Sequence, residues 1–275
     1  MRTVFEILPA SFEPENCTLL CESCDEGFSF CIKDEVANSF LGLGVYHYDK
    51  SKPPIGLPIA LQIIFHQKEI LSKRFKKVKI VYSFPQSVLI PFPLYDSEKN
   101  STILNIMHGD LHEDETLMTD IITSQSLYNC YRISSSLREV LQNQFSGVAG
   151  THQYSLLLNE PAEEKDRMNI IFYTRKIVVS VWKDGKCQLV NSFQYHTPED
   201  VSYILLNICH QLEIENIRLE MSGLIEKNSA LYNEVYKFFT EVELTPLQGG
   251  ITYAEEITKF PSHYFSNIFA IDSCE

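Results

Sequence analysis

Asp25-x-Gly27-x-Ser29 brings together three residue types that suit a phosphate and its metal ion. An aspartate can hold magnesium through water, a glycine lets backbone come close to a phosphate, and a serine hydroxyl can donate a hydrogen bond to it. The plainer reading of the same residues is an ordinary hairpin turn, because a three-residue match arises easily by chance. Ser222-Gly223 and Gly249-Gly250 are two more places where the chain could bend towards a ligand, or simply bend.

Cys17-x-x-x-Cys21-x-x-Cys24 has the spacing with which radical S-adenosylmethionine enzymes hold three corners of a 4Fe–4S cluster. Against that chemistry, the segment reads as a strand, Ser23 takes a position that is usually aromatic, and no βα-barrel pattern follows. Cys31 does not complete a second Cys-x-x-Cys pair for zinc. Buried free thiols are the simpler expectation for this trio, and for the isolated Cys130, Cys187 and Cys209. His108 and His112 stand four apart, a spacing that presents two rings on one helical face to a metal. Gly109 and the surrounding acids point instead to a solvated loop over Gly109–Glu115. There is no P-loop, no nucleophile elbow and no HExxH motif. Gly42-Leu43-Gly44 lacks the third glycine of a dinucleotide fingerprint.

The chain has 275 residues, 23 basic and 36 acidic side chains, and a net charge of −13. That balance argues against broad nucleic-acid or membrane-surface binding. One stretch runs the other way: Lys68, Lys73, Arg74, Lys76, Lys77 and Lys79 oppose only Glu69. It reads either as a solvated helix end or as a docking patch, over residues 68–79, for an acidic protein or nucleic acid. Met1–Asn16 lacks the apolar core of a signal peptide, and no apolar run reaches the ~18 residues needed to cross a bilayer. The expected setting is cytoplasmic, without membrane insertion, with the eight cysteines reduced.

Two halves carry these residues. The second has strand-type runs at Asn169–Tyr173, Ile177–Trp182 and Cys187–Tyr195, the last two parted by a Lys183-Asp184-Gly185 turn. Thr197-Pro198-Glu199-Asp200 opens a helix whose stripe is Val201, Ile204, Leu205, Ile208 and Leu212. A strand over Ile217–Met221 follows, then a helix marked by Leu231, Val235, Phe238 and Phe239. The first half repeats the order: strands at Thr18–Cys24, Phe28–Lys33 and Val36–Tyr46, a helical stripe from Leu57 to Phe65, and a strand at Val78–Tyr82. Ser126–Ile133 and a helix carrying Leu137, Val140, Leu141 and Phe145 would complete it. A charge run around Pro161 parts the halves within Asn159–Asn169, giving a first lobe at 1–158 with an inserted segment and a second at 159–275.

A duplicated βββαβα unit in an α/β chain is the pattern of the actin-like ATPase (ribonuclease H-like) fold with two lobes. The sequence also resembles an uncharacterised bacterial family of actin-like-fold proteins, a domain of unknown function. The resemblance runs in order through Asp25-Glu26-Gly27-Phe28-Ser29-Phe30, Ser83-Phe84 to Leu89-Ile90-Pro91, Ser222-Gly223-Leu224-Ile225-Glu226, Phe260-Pro261-Ser262-His263-Tyr264-Phe265 and Cys274-Glu275. It implies the fold and no established activity. More distantly, the lobed plan resembles the pilus-assembly and division scaffolds of the same superfamily.

In that fold the first hairpin of each lobe wraps ATP phosphates and magnesium, so Asp25, Gly27 and Ser29 would serve the first lobe, with Ser222 and Gly223 facing the nucleoside. Counting back from the shared Lys-Asp turn puts Arg175 at the place of Asp25 and Ile177 at that of Gly27. Arginine cannot help hold magnesium, and isoleucine would crowd the backbone approach. The expected protein is therefore a non-catalytic scaffold or adaptor for another protein, with a degenerate nucleotide site. An ATP-binding protein or ATPase using the inter-lobe cleft is the alternative, and an iron–sulfur enzyme is the third.

Overall fold

The computed structural model describes residues 1–48, 55–159 and 166–273. Met1–Asn159, Gly250–Lys259 and Ile268–Glu275 form one unit; Glu160–Gly249 and Phe260–Asn267 form the other. Most of the charge run around Pro161, and Cys274-Glu275, lie outside the described residues. Residues 250–259 and 268–273 group with the first unit, whereas the sequence reading leaves everything after 158 to the second lobe.

The first unit begins with β1 (Arg2–Ile7), β2 (Cys17–Cys24), β3 (Gly27–Asp34), β4 (Ser39–His47), α1 (Leu57–Gln67) and β5 (Lys77–Ser83). All eight residues of β2 are buried, the polar Thr18, Glu22 and Ser23 included, so the strand is covered on both faces. It pairs antiparallel with β3 from Cys17↔Asp34 to Cys24↔Gly27 and parallel with β5. Leu19, Cys21, Phe28 and Phe30 pack with Leu61, Ile64 and Phe65 of α1. An insertion then supplies β6 (Ser87–Pro91), α2 (Asn100–His108), β7 (Glu115–Ile122) and β8 (Leu127–Ser134), followed by α3 (Ser135–Gln144), β9 (Gly150–His152) and α4 (Gln153–Leu158). The strand expected over Ser126–Ile133 exists as β8, but it pairs with β6 and β7 in a separate three-stranded sheet. The short β9 takes the place beside β5 instead, giving a main sheet in the order β1-β4-β3-β2-β5-β9.

The second unit contains β10 (Arg167–Phe172), β11 (Lys176–Lys183), β12 (Lys186–Gln194), α5 (Pro198–Gln211), β13 (Arg218–Gly223), α6 (Ala230–Tyr236) and β14 (Val242–Leu244). Its order, β12-β11-β10-β13-β14, repeats β4-β3-β2-β5-β9 of the first. Asp184 and Gly185 both have positive φ, 53° and 70°, which closes the two-residue turn between β11 and β12. Thr197 and Asp200 form a reciprocal cap at the start of α5. Val201, Leu205 and Ile208 of that helix pack with Ile170, Val179, Tyr232 and Val235. Helix α6 stops at Tyr236, so Phe239 is buried beyond its end while Phe238 is exposed.

Two C-terminal strand residues, β15 (Thr252–Tyr253), pair with Ser39 and Phe40 of β4, next to the part of that edge which β1 covers. The short helices α7 (Glu255–Thr258) and α8 (Ser266–Phe269) follow. Among the described residues, no helix is long and apolar enough to cross a membrane.

Candidate nucleotide site

Asp25 and Glu26 make the turn between β2 and β3, and both are half-buried. Gly27 opens β3 with φ +152°. An added Cβ would lie 3.1 Å from the Tyr46 carbonyl carbon and closer still to its oxygen. The neighbouring strand β4 therefore already requires glycine there. Ser29 sits inside β3, half-buried, opposite Glu22 of β2 and Val45 of β4.

Strand pairing supplies the equivalent positions in the second unit. Cys24 pairs with Gly27 and with Ser83; Phe172 pairs with Ile177 and with Gly223. Ile177 thus holds the register of Gly27, and it is fully buried. The hairpin tip is also two residues longer, running from Tyr173 to Lys176 and closed by a Tyr173 N–H donated to the Lys176 carbonyl at 2.9 Å. Arg175 stands exposed on it.

Ser222 is buried and its hydroxyl donates to the Ile170 carbonyl at 3.5 Å. Gly223 has φ +82°, and an added Cβ would lie 3.0 Å from the Phe172 nitrogen and closer still to its carbonyl oxygen. Its own N–H donates to the His263 carbonyl at 2.7 Å. Gly250 has φ +78° with open space where a Cβ would be, and its carbonyl accepts from Asn38 Nδ2 at 2.9 Å.

A buried polar network in the first unit escaped the sequence reading. Ser83 Oγ donates to Gln153 Oε1 at 2.6 Å, and Gln153 Nε2 donates to Glu22 Oε1 at 3.5 Å. Nearby, the Asp120 carboxylate accepts from Thr151 Oγ1 (2.8 Å), the His152 N–H (2.7 Å), Ser155 Oγ (2.7 Å) and Tyr131 OH (3.1 Å). His152 is fully buried, with Nε2 2.8 Å from the Phe84 carbonyl and Nδ1 accepting from the Tyr154 N–H. A carbonyl can only accept, so these partners assign the proton to Nε2 and leave the ring neutral. Glu22, a charged residue inside a strand-type run, is the one member whose type and place in the sequence hint at the network.

Strand geometry overturns the cluster reading of the cysteines. Side chains alternate along β2, so Cys17 and Cys21 share a face, where both join the core, and Cys24 takes the opposite face. Three thiolates so placed cannot converge on one cluster. Burial pushes the Cys17 thiol up to about 11, helped by Asp34, and it also raises Cys21 and Cys31. His108 ends α2 while His112 lies in the loop beyond it, so the two rings do not share a helical face. Among the described residues, no group of three or more His, Cys, Asp or Glu is placed to hold a metal ion.

The basic stretch is mostly not a helix end. α1 stops at Gln67, and the lysines follow through a short 3-10 turn (Glu69–Ser72) into β5. Lys68 pairs with Glu6 and lies over the Tyr46 ring, and Lys73 lies over the Phe12 ring.

Residues 10–242 match the family described as "Protein of unknown function (DUF3822)". Compared with the curated proteins, the sequence finds no match. A Bacteroides thetaiotaomicron protein with an actin-like ATPase fold and unknown function is similar in structure, with a TM-score of 0.76 at 22% identity over 95% of this chain and 97% of that one. A chain of the PilM–PilN type IV pilus biogenesis complex gives 0.56 at 10% identity, covering 92% and 97%. The cytoplasmic domain of EpsL, an inner-membrane component of the type II secretion system of Vibrio cholerae, gives 0.53 at 9% identity, covering 94% of each. The fold is that of the actin-like ATPases.

Proposed function

We propose that this chain, which belongs to the DUF3822 family of proteins of unknown function, is a non-catalytic scaffold or adaptor on an actin-like ATPase fold, with a degenerate nucleotide site. One observation carries the reading. Gly27 and Gly223 each meet a demand of their own lobe's backbone, and Ser222 is buried beside the Ile170 carbonyl, so neither glycine needs a ligand to account for its identity. The second-lobe hairpin adds support, because buried Ile177 and exposed Arg175 cannot supply a close backbone approach or a magnesium-positioning carboxylate. The EpsL domain and the PilM–PilN chain, both similar in fold, belong to multiprotein assemblies, which is compatible with a protein partner here. The reading includes a cytoplasmic setting.

A second reading keeps ATP and magnesium. Asp25 does occupy a hairpin tip, and Ser29 stands two residues into the strand beyond Gly27. Calorimetric titration with ATP and Mg²⁺ separates the two. No heat of binding is expected. Micromolar binding that is lost in Asp25→Ala would overturn the scaffold reading and assign Asp25, Gly27 and Ser29 to a nucleotide.

A further inference from the structure

We propose that a groove at one end of the first unit's main sheet docks an acidic peptide segment of a partner protein. The proposal rests on the scaffold reading and gives its partner a place to sit. A cavity of about 610 Å³ opens there. Thr18 of β2 and Lys33 and Glu35, at and just past the end of β3, form one side. Lys76, Lys77 and Lys79, leading into and along β5, form another, and Asp272 closes the third.

The groove is held by its own ion pairs. Lys33 is nearly buried and donates to Asp272 Oδ2 at 2.5 Å, with Glu35 Oε2 3.6 Å away. Lys79 donates to the Asp272 carbonyl at 2.5 Å, and Thr18 Oγ1 donates to Glu35 at 2.5 Å. Both carboxylates are thus engaged from inside the wall. Lys76 and Lys77 are exposed and, among the described residues, form no ion pair. Four lysines against two carboxylates leave this groove positive on a chain of net charge −13. An acidic segment would meet repulsion over most of the surface and attraction here, which selects the site and its orientation.

Nucleic acid fits less well. Duplex binders commonly neutralise about 6–10 phosphates, whereas this groove offers two lysines without ion pairs. A peptide carboxylate needs only one or two such lysines.

The test uses the full chain, a fluorescein-labelled deca-glutamate peptide and fluorescence anisotropy. Saturable binding is expected, weaker as salt rises. Lys76→Glu/Lys77→Glu should weaken it by roughly two- to thirtyfold, the loss of two exposed ion pairs, and Lys76→Gln/Lys77→Gln by a smaller amount. Lys227→Glu, exposed in the second unit, should leave it unchanged. Absence of saturable binding overturns the proposal, as does binding by both lysine variants as tight as that of the unaltered chain. A single-stranded DNA oligonucleotide that binds more tightly and is lost in the same variants would replace the peptide with nucleic acid. ATP binding in the separate titration would overturn the scaffold reading and leave the peptide result standing.

Discussion

Replacing Gly223 by alanine tests whether the fold or a ligand demands that glycine. Left-handed backbone costs a non-glycine residue about 1–2 kcal/mol, partly offset by about 0.4–1 kcal/mol from a stiffer unfolded chain. The Cβ would also intrude on the Phe172 backbone, 3.0 Å from its nitrogen; relieving such overpacking costs roughly 1–3 kcal/mol. The sum is about 1–5 kcal/mol, or a fall of roughly 2–20 °C in Tm. Two glycines of the same unit isolate the parts. Gly185 has φ +70° with no neighbour within 4 Å, so its alanine variant carries backbone strain alone and should lose no more than about 1.6 kcal/mol. Gly249 has neither feature and should change by less than ~0.5 kcal/mol. The chain has one tryptophan, Trp182, buried on β11, so its fluorescence reports unfolding of the second unit. A Gly223→Ala variant no less stable than Gly185→Ala would refute the reasoning and return Gly223 to the list of ligand-facing residues.

Three further outcomes follow from local chemistry. Thr197→Ala removes the hydroxyl that accepts the Asp200 N–H at 3.2 Å and should cost about 1 kcal/mol in urea unfolding followed at Trp182. Burial lowers the pKa of His263 below the ordinary histidine value, against an opposing hydrogen bond from its Nε2 to the Ile225 carbonyl at 2.7 Å. The unfolded chain then takes up the proton more readily than the fold. The contribution is whole above about pH 6.5 and is lost as pH falls below it; His263→Gln should flatten the difference between urea midpoints at about pH 7.5 and pH 5.5, and an unchanged slope would contradict this. Burial raises Cys17 and Cys187 to about 11 and also raises Cys21, Cys31, Cys130 and Cys209. These six should react slowly with a disulfide reagent at about pH 8 and rapidly in guanidinium, as read by thiol titration.

The repeated units were legible because their signals are local. β10, β11 and α5 announce themselves through β-branched runs, a turn dipeptide and a capping box. Pairing partners are another matter. β8 reads plainly as a strand, yet nothing in its own residues says that it joins β6 and β7 rather than β5. β6 is only five residues long, and β7 and α2 mix polar with apolar residues, so none of the three carries a strong local signal. At the candidate site, the hairpin tip at Asp25 could be located from sequence, but the link from Glu22 through Gln153 to Ser83 could not, since Glu22 and Gln153 lie 131 positions apart. The demand on Gly27 is equally distant, coming from the Tyr46 backbone on β4.

The return of residues 250–259 and 268–273 to the first unit bears on the order in which the chain can assemble. Lys33 waits for Asp272, 239 positions later, and the start of β4 waits for Thr252 and Tyr253. The second unit's sheet, by contrast, lies wholly between Arg167 and Leu244. During synthesis that sheet can close before the earlier one is finished, so the half made first is the half completed last. Until then, the edge of β4 at Ser39 and Phe40 lacks its strand partner, and an unpaired edge invites other chains.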